Sequence, residues 1–119
     1  MLGCYGISGV HLALEPVDFR KSINGLSIIV QESFDLDPFD CSLYVFCNKN
    51  RDKIKILFWE NNGFWLYYKR LEKGRFDWPE KSTSQKAIAV SERELSWLLD
   101  GLPMKQAKAH KPIRERLII

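Results

Sequence analysis

At 119 residues, with 45% apolar and 28% charged side chains, the chain suits one domain with a real core and is too short for two. That composition excludes wholesale disorder, and no apolar run approaches the roughly 20 residues a bilayer span needs. The net charge of +3 is unevenly spread: residues 1–47 hold two basic and six acidic groups, 48–75 eight and three, 76–104 three and five, and 105–119 five and one.

Met1 to Val10 has no basic region ahead of its mildly apolar stretch, which argues against a signal peptide. Cys4, Cys41 and Cys47, odd in number and without a CxxC pair, suit a reducing cytosol, so a cytoplasmic location is expected. Val10 to Leu14 reads as a short opening strand ended by Pro16. Asp18 stands where an N-cap would, and Ile23, Leu26, Ile29 and Val30 follow at helical spacing, so the pattern predicts an amphipathic helix over 19–33. Gly25 weakens that helix and allows close packing. Asp35 to Asp40, around Pro38, reads as a loop.

Leu43 to Cys47 is a β-prone run, with Asn48 to Asp52 as its turn. Lys53 to Trp59 and Phe64 to Leu71 then form a hairpin. A three-residue loop, Asn61 to Gly63 with Gly63 at positive φ, pairs Trp59 with Trp65, Leu57 with Tyr67 and Lys55 with Lys69. It gathers Ile54, Ile56, Phe58, Phe64, Leu66 and Tyr68 on one core face. A two-residue Asn62-Gly63 turn pairs Phe58 with Tyr67 and mixes Lys69 into the core, so the first register is expected. Arg75 to Trp78 reads as another short strand, and Ala87 to Val90 as one more. Ser91 to Glu94 is a capping box opening a helix that ends near Gly101.

The expected fold is α+β: an antiparallel meander of about four to five strands, an N-terminal helix on one face, and a second helix after the sheet. Residues 1–102 form the domain, and 103–119 read as a flexible basic tail.

Catalysis finds little footing. His11 and His110 are far apart in sequence and lack partners that suggest base or metal chemistry. Asp35, Asp37 and Asp40 suit turn formation around Pro38 as well as they suit an ion. No phosphate loop or nucleophile elbow occurs, so no enzyme, cofactor or metal is expected. Binding has more support. Lys49, Arg51, Lys53 and Lys55 precede the hairpin, and Lys69, Arg70, Lys73 and Arg75 follow it. These charges converge at the end of the sheet away from the Gly63 turn. In the expected register Lys53, Lys55 and Lys69 share a face with Trp59, Trp65 and Tyr67. Such a face either lies on a nucleic-acid backbone with rings stacking, or is covered by a helix while the lysines reach out at its rim.

Pro16-Val17-Asp18-Phe19-Arg20-Lys21-Ser22-Ile23-Asn24-Gly25-Leu26 resembles the motif P-x-D-x-R-K-x-x-[DN]-G-L. Leu43 to Phe46, Asn48 to Leu57, Tyr68 to Phe76 and Trp78-Pro79 extend the likeness over about residues 10 to 101. The chain resembles the TnpB-type accessory proteins encoded by the second open reading frame of insertion sequence family 66. The resemblance implies a small protein needed alongside a separate DDE transposase, with no catalytic residues to carry over. It also draws attention to Arg20 and Lys21, cations just after the expected N-cap, where the helix dipole disfavours them. They meet either an anion or a partner's carboxylate, or else a local carboxylate, Asp18 or Glu15. The expectation is a non-catalytic factor that binds DNA at the element ends. The alternative is an adaptor that docks on the transposase without touching DNA.

Overall fold

The computed structural model describes residues 6–81 and 84–104. Strand β1 (Val10–Ala13) and strand β2 (Leu43–Cys47) lie side by side and parallel, with Val10 beside Leu43 and Leu12 beside Val45. Parallel neighbours need a crossover rather than a tight turn. Helix α1 (Ile23–Glu32) supplies it. On the other side of β2 run β3 (Lys53–Glu60) and β4 (Gly63–Arg70), each antiparallel to its neighbour. Strand β5 (Ala87–Val90) pairs antiparallel with β1, so the order is β4-β3-β2-β1-β5. The sheet is therefore mixed, which corrects the expected antiparallel meander. The strand–helix–strand order from Val10 to Cys47 was the available signal for this, because a hairpin has no room for a helix.

The inner strands β1, β2 and β3 are buried on both faces. On one, Ala13, Tyr44, Phe46 and Leu57 pack under Leu26 and Val30 of α1. On the other, Val10, Leu12, Val45, Cys47, Ile54 and Ile56 pack under Leu95 and Leu98 of helix α2 (Glu92–Leu99). These are called the α1 side and the α2 side below. Helix α2 opens with the expected capping box: Glu94 N–H donates to Ser91 Oγ at 3.0 Å, and Ser91 N–H to Glu94 Oε1 at 2.9 Å.

Helix α1 starts at Ile23 with Ser22 at the N-cap, not at Asp18. Asp18 instead builds a turn of its own, its Oδ1 accepting from Arg20 N–H at 2.9 Å and its carbonyl from Lys21 N–H at 3.0 Å. Arg20 and Lys21 therefore precede the helix, and the dipole argument about them lapses. A Cβ on Gly25 would come within 3.2 Å of Lys21 Cβ, so the glycine makes room for the lysine stem.

Arg75 to Trp78 is not a strand. Phe76 N–H donates to Arg51 O at 2.7 Å, and Trp78 Nε1–H reaches Ala13 O at 2.8 Å. With both rings buried, the segment straps the α2 side instead of extending the sheet beyond β4. Met104, partly buried, packs against the same core. The rest of the expected tail, with His110, lies outside the described residues.

The hairpin register also differs from expectation. Glu60 pairs with Gly63 across a two-residue Asn61-Asn62 turn, with Asn61 at φ 58°. Trp59 faces Phe64, Phe58 faces Trp65, Leu57 faces Leu66 and Lys55 faces Tyr68. Every β4 side chain is thus on the opposite face from the one expected, as a one-residue slip requires. The expectation rested on a single core face. Strand β3 is covered on both, by α1 on one side and the Phe76–Trp78 strap on the other, so excluding lysine from one face did not discriminate between registers.

Candidate nucleic-acid interface

Asn48 organises the turn that carries the basic end of the sheet. It is nearly buried; its Oδ1 accepts from Asp52 N–H at 3.1 Å and Lys53 N–H at 3.0 Å, and its Nδ2 donates to Asp52 Oδ1 at 2.7 Å. The Asn48 bond, ahead of the charges of Lys53 and Arg70, holds the Asp52 carboxyl below its ordinary range. An asparagine followed by four turn residues is a legible sequence sign of such a device. Arg51 sits in this turn at φ 61°. Its Nη1 is buried with no hydrogen-bond partner, so this guanidinium faces partly inward. Burial pushes the neighbouring Cys47 thiol up to about 11, which keeps it an uncharged core group. Cys41 is not a free thiol, against the expectation of reduced cysteines; Cys4 lies outside the described residues.

Apart from Arg51, the other nine expected cationic contacts fall into three groups. Lys55 is committed to the fold: its Nζ donates to Phe19 O at 2.8 Å and Lys21 O at 2.9 Å, and lies 4.9 Å from the Phe19 ring centroid. It clamps the Pro16–Leu26 motif to the hairpin. Arg20 is tied to Asp18, Nη2 to Oδ2 at 2.7 Å, although its side chain stays 91% exposed. That hydrogen bond pulls the Asp18 carboxyl down to about 2. Lys21 lies along Gly25 and lines a cleft of about 230 Å³ with Pro16, Val17, Asp18, Phe34 and Lys86. The cleft carries both signs of charge.

The third group forms the open end of the hairpin. Lys53 and Arg70 are direct cross-strand partners on the α1 side, a like-charge pairing that costs stability unless something negative lies near. Arg70 Nε–H donates to Glu72 Oε2 at 3.0 Å, an exposed pair worth little. Lys49 stands exposed in the β2–β3 turn, and Lys73 and Arg75 are exposed in the segment leaving β4. The Phe76–Arg51 backbone bond brings that segment alongside the turn. Lys69 is exposed on the α2 side.

The aromatic trio divides as well. Trp59 is on the α1 side, edge to face with Phe39 at 4.9 Å and Phe64 at 5.0 Å between centroids. Trp65 and Tyr67 are on the α2 side, about half exposed, their rings parallel within 12° and 6.0 Å apart. Trp65 Nε1–H donates to Glu60 Oε1 at 2.9 Å, which fixes its ring. Trp65, Tyr67 and Lys69 thus stand in one row along β4. Tyr68, exposed on the α1 side beside Phe19, was expected in the core.

The remaining candidates serve the fold. Asp40 accepts from Tyr44 O–H at 3.0 Å and Ser42 N–H at 3.0 Å, and Asp37 O also accepts from Tyr44 O–H at 2.9 Å. Burial, then Asp40, pushes the Tyr44 phenol up. His11 stacks on Tyr44 at 5.3 Å. Among the described residues, no three His, Cys, Asp or Glu side chains group as metal ligands would, and no helix is long and apolar enough to cross a membrane.

Comparison with known proteins agrees with the motif. Residues 8–109 match the family model described as IS66 Orf2 like protein. Two curated relatives come from Sinorhizobium fredii. The uncharacterized protein y4jC is 33% identical over 105 residues, 88% of this chain and 87% of the relative. The uncharacterized protein y4hO is 38% identical over 93 residues, 78% and 79% of the two chains. No solved structure matches. With a family model spanning most of its length, the chain belongs to the IS66 Orf2-like family, whose members are accessory proteins of insertion sequences.

Proposed function

We propose that this accessory protein assists transposition by binding DNA at the element ends, through the open end of the β3–β4 hairpin. The observation that carries the reading is the row Trp65, Tyr67 and Lys69 on β4, exposed beside Arg70, Lys73 and Arg75. Cations there neutralise phosphate and release counterions, while the flat rings pack on bases or sugar. The contacts assigned to DNA are Lys49, Lys53, Lys69, Arg70, Lys73 and Arg75. Lys55 and Arg20, engaged within the fold, are left out. The reaction chemistry belongs to the transposase, which this protein would accompany.

The test is a gel-shift on terminal inverted repeats and on scrambled duplex, over a salt series and with or without transposase. The reading expects binding at low salt that weakens steeply as salt rises. No binding to either DNA, with or without transposase, contradicts it. A second reading has support from the same rings: a half-exposed aromatic pair also suits a protein partner. Capture of transposase with no DNA shift would favour that adaptor role.

A further inference from the structure

Strand β4 closes one end of the sheet order with eight residues, whereas the opposite edge, β5, has only four. Proteins commonly blunt an edge by keeping it short, as β5 is, or by charge or cover. Strand β4 is long, and its charges sit only at its end. Trp65, Tyr67 and Tyr68 are 53%, 49% and 54% exposed along it.

The direction of its main-chain groups follows from the register. Leu71 N–H donates to Asp52 O at 2.8 Å, one step beyond the Lys53–Arg70 pair. Antiparallel pairs alternate between bonded and non-bonded. The bonded pairs are therefore Ile54–Lys69, Ile56–Tyr67 and Phe58–Trp65. Phe64, Leu66, Tyr68 and Arg70 then turn their N–H and C=O groups away from β3.

We infer that this edge pairs antiparallel with the β4 edge of a second copy of the chain, on a two-fold axis through Tyr67. The residue order carries the choice of occupant. Rings fill the first part of β4 and cations the last two positions. A parallel copy would set Lys69 and Arg70 against their own equivalents, which like-charge repulsion disfavours. The antiparallel copy sets Leu66 opposite Tyr68 and Phe64 opposite Arg70 as bonded pairs. It also sets Trp65 opposite Lys69, a cation over an aromatic face. Each outward main-chain group of these residues gains a partner, and no cation meets a cation. The β4 edge is self-complementary in this one direction. A ten-stranded sheet results, with the Trp65–Tyr67–Lys69 rows of both copies adjoining on the α2 side. The pairing does not depend on DNA binding, because it is measured without DNA.

The test combines sedimentation of the full chain with two substitutions. The wild-type protein should sediment as a dimer. Tyr68→Pro removes an N–H that faces outward, so it blocks the edge without breaking a β3 bond, and should give a monomer with unchanged circular dichroism. Tyr67→Cys should form a disulfide-linked dimer under mild oxidation beyond any seen for wild type, because the paired Cα atoms lie about 4.5 Å apart on the axis. Tyr68→Cys, offset from its equivalent, should not. A wild-type monomer at every soluble concentration, a Tyr68→Pro dimer, or cross-linking at Tyr68→Cys in place of Tyr67→Cys would each overturn the inference. If Tyr68→Pro misfolds, the Tyr67→Cys and Tyr68→Cys pair decides.

Discussion

On the α1 side of the β3–β4 hairpin, Lys55 sends its ammonium to the carbonyls of Phe19 and Lys21, and Trp59 meets Phe39 and Phe64 edge to face. On the α2 side of the same two strands, Trp65, Tyr67 and Lys69 face outward, with Glu60 fixing the indole. Lysine and tryptophan occur on both sides. The difference lies in what crosses each face: the motif loop and α1 reach over the hairpin on one side, while the Phe76–Trp78 strap packs over the inner strands on the other. A basic-aromatic hairpin is thus half scaffold and half available surface. Residue type alone does not say which half a side chain belongs to.

The comparison can be broken at the strap first. Trp78→Ala removes a buried ring and its bond to Ala13 O, and should cost about 3–5 kcal/mol of unfolding free energy in a urea titration. A change below about 1 kcal/mol would mean that the strap does not hold the α2 side. Trp65→Ala should leave stability nearly untouched, yet weaken single-strand binding by about 1–3 kcal/mol if its ring stacks on a base. On the α1 side the signs reverse. Lys55→Met leaves two carbonyls without their donor and should cost about 1–3 kcal/mol of stability. Unchanged stability there would remove the scaffold role.

The smallest effect concerns Asp18. Its folded carboxyl lies at about 2, below the unfolded value, so its contribution to stability is present above pH of about 4 and is lost as pH falls through about 2. Because both side chains are exposed to solvent, the energetic consequence is slight. The shift itself is measurable: in Arg20→Ala, an NMR titration should place Asp18 back toward 3.8. An Asp18 that still titrates near 2 would exclude Arg20 as the cause.

Most elements were legible because each had a local cause, such as the Ser91–Glu94 box or the β-prone run at Leu43. The concentration of charge at the hairpin's open end was legible too, since turns bring Lys49, Lys53 and Arg70 together whatever the register. What escaped were relations between distant segments. The hairpin slip turned on one residue in Glu60-Asn61-Asn62-Gly63, and two-sided burial of Ile54, Ile56 and Leu57 removed the alternation that could have decided it. The engagement of Lys55 depends on carbonyls 34 and 36 residues away in sequence. No spacing rule reaches that far.

The central claim is that the open end of the hairpin, with the exposed Trp65–Tyr67–Lys69 row, binds DNA, while Lys55 on the α1 side supports the fold. The most direct measurement is the salt dependence of duplex binding for Lys69→Ala and Lys55→Ala, each compared with wild type. The account predicts that Lys69→Ala lowers the slope of log K against log salt by about 0.9, as one lost phosphate contact should. It predicts that folded Lys55→Ala keeps the wild-type slope. A reduced slope in Lys55→Ala with none in Lys69→Ala would contradict it.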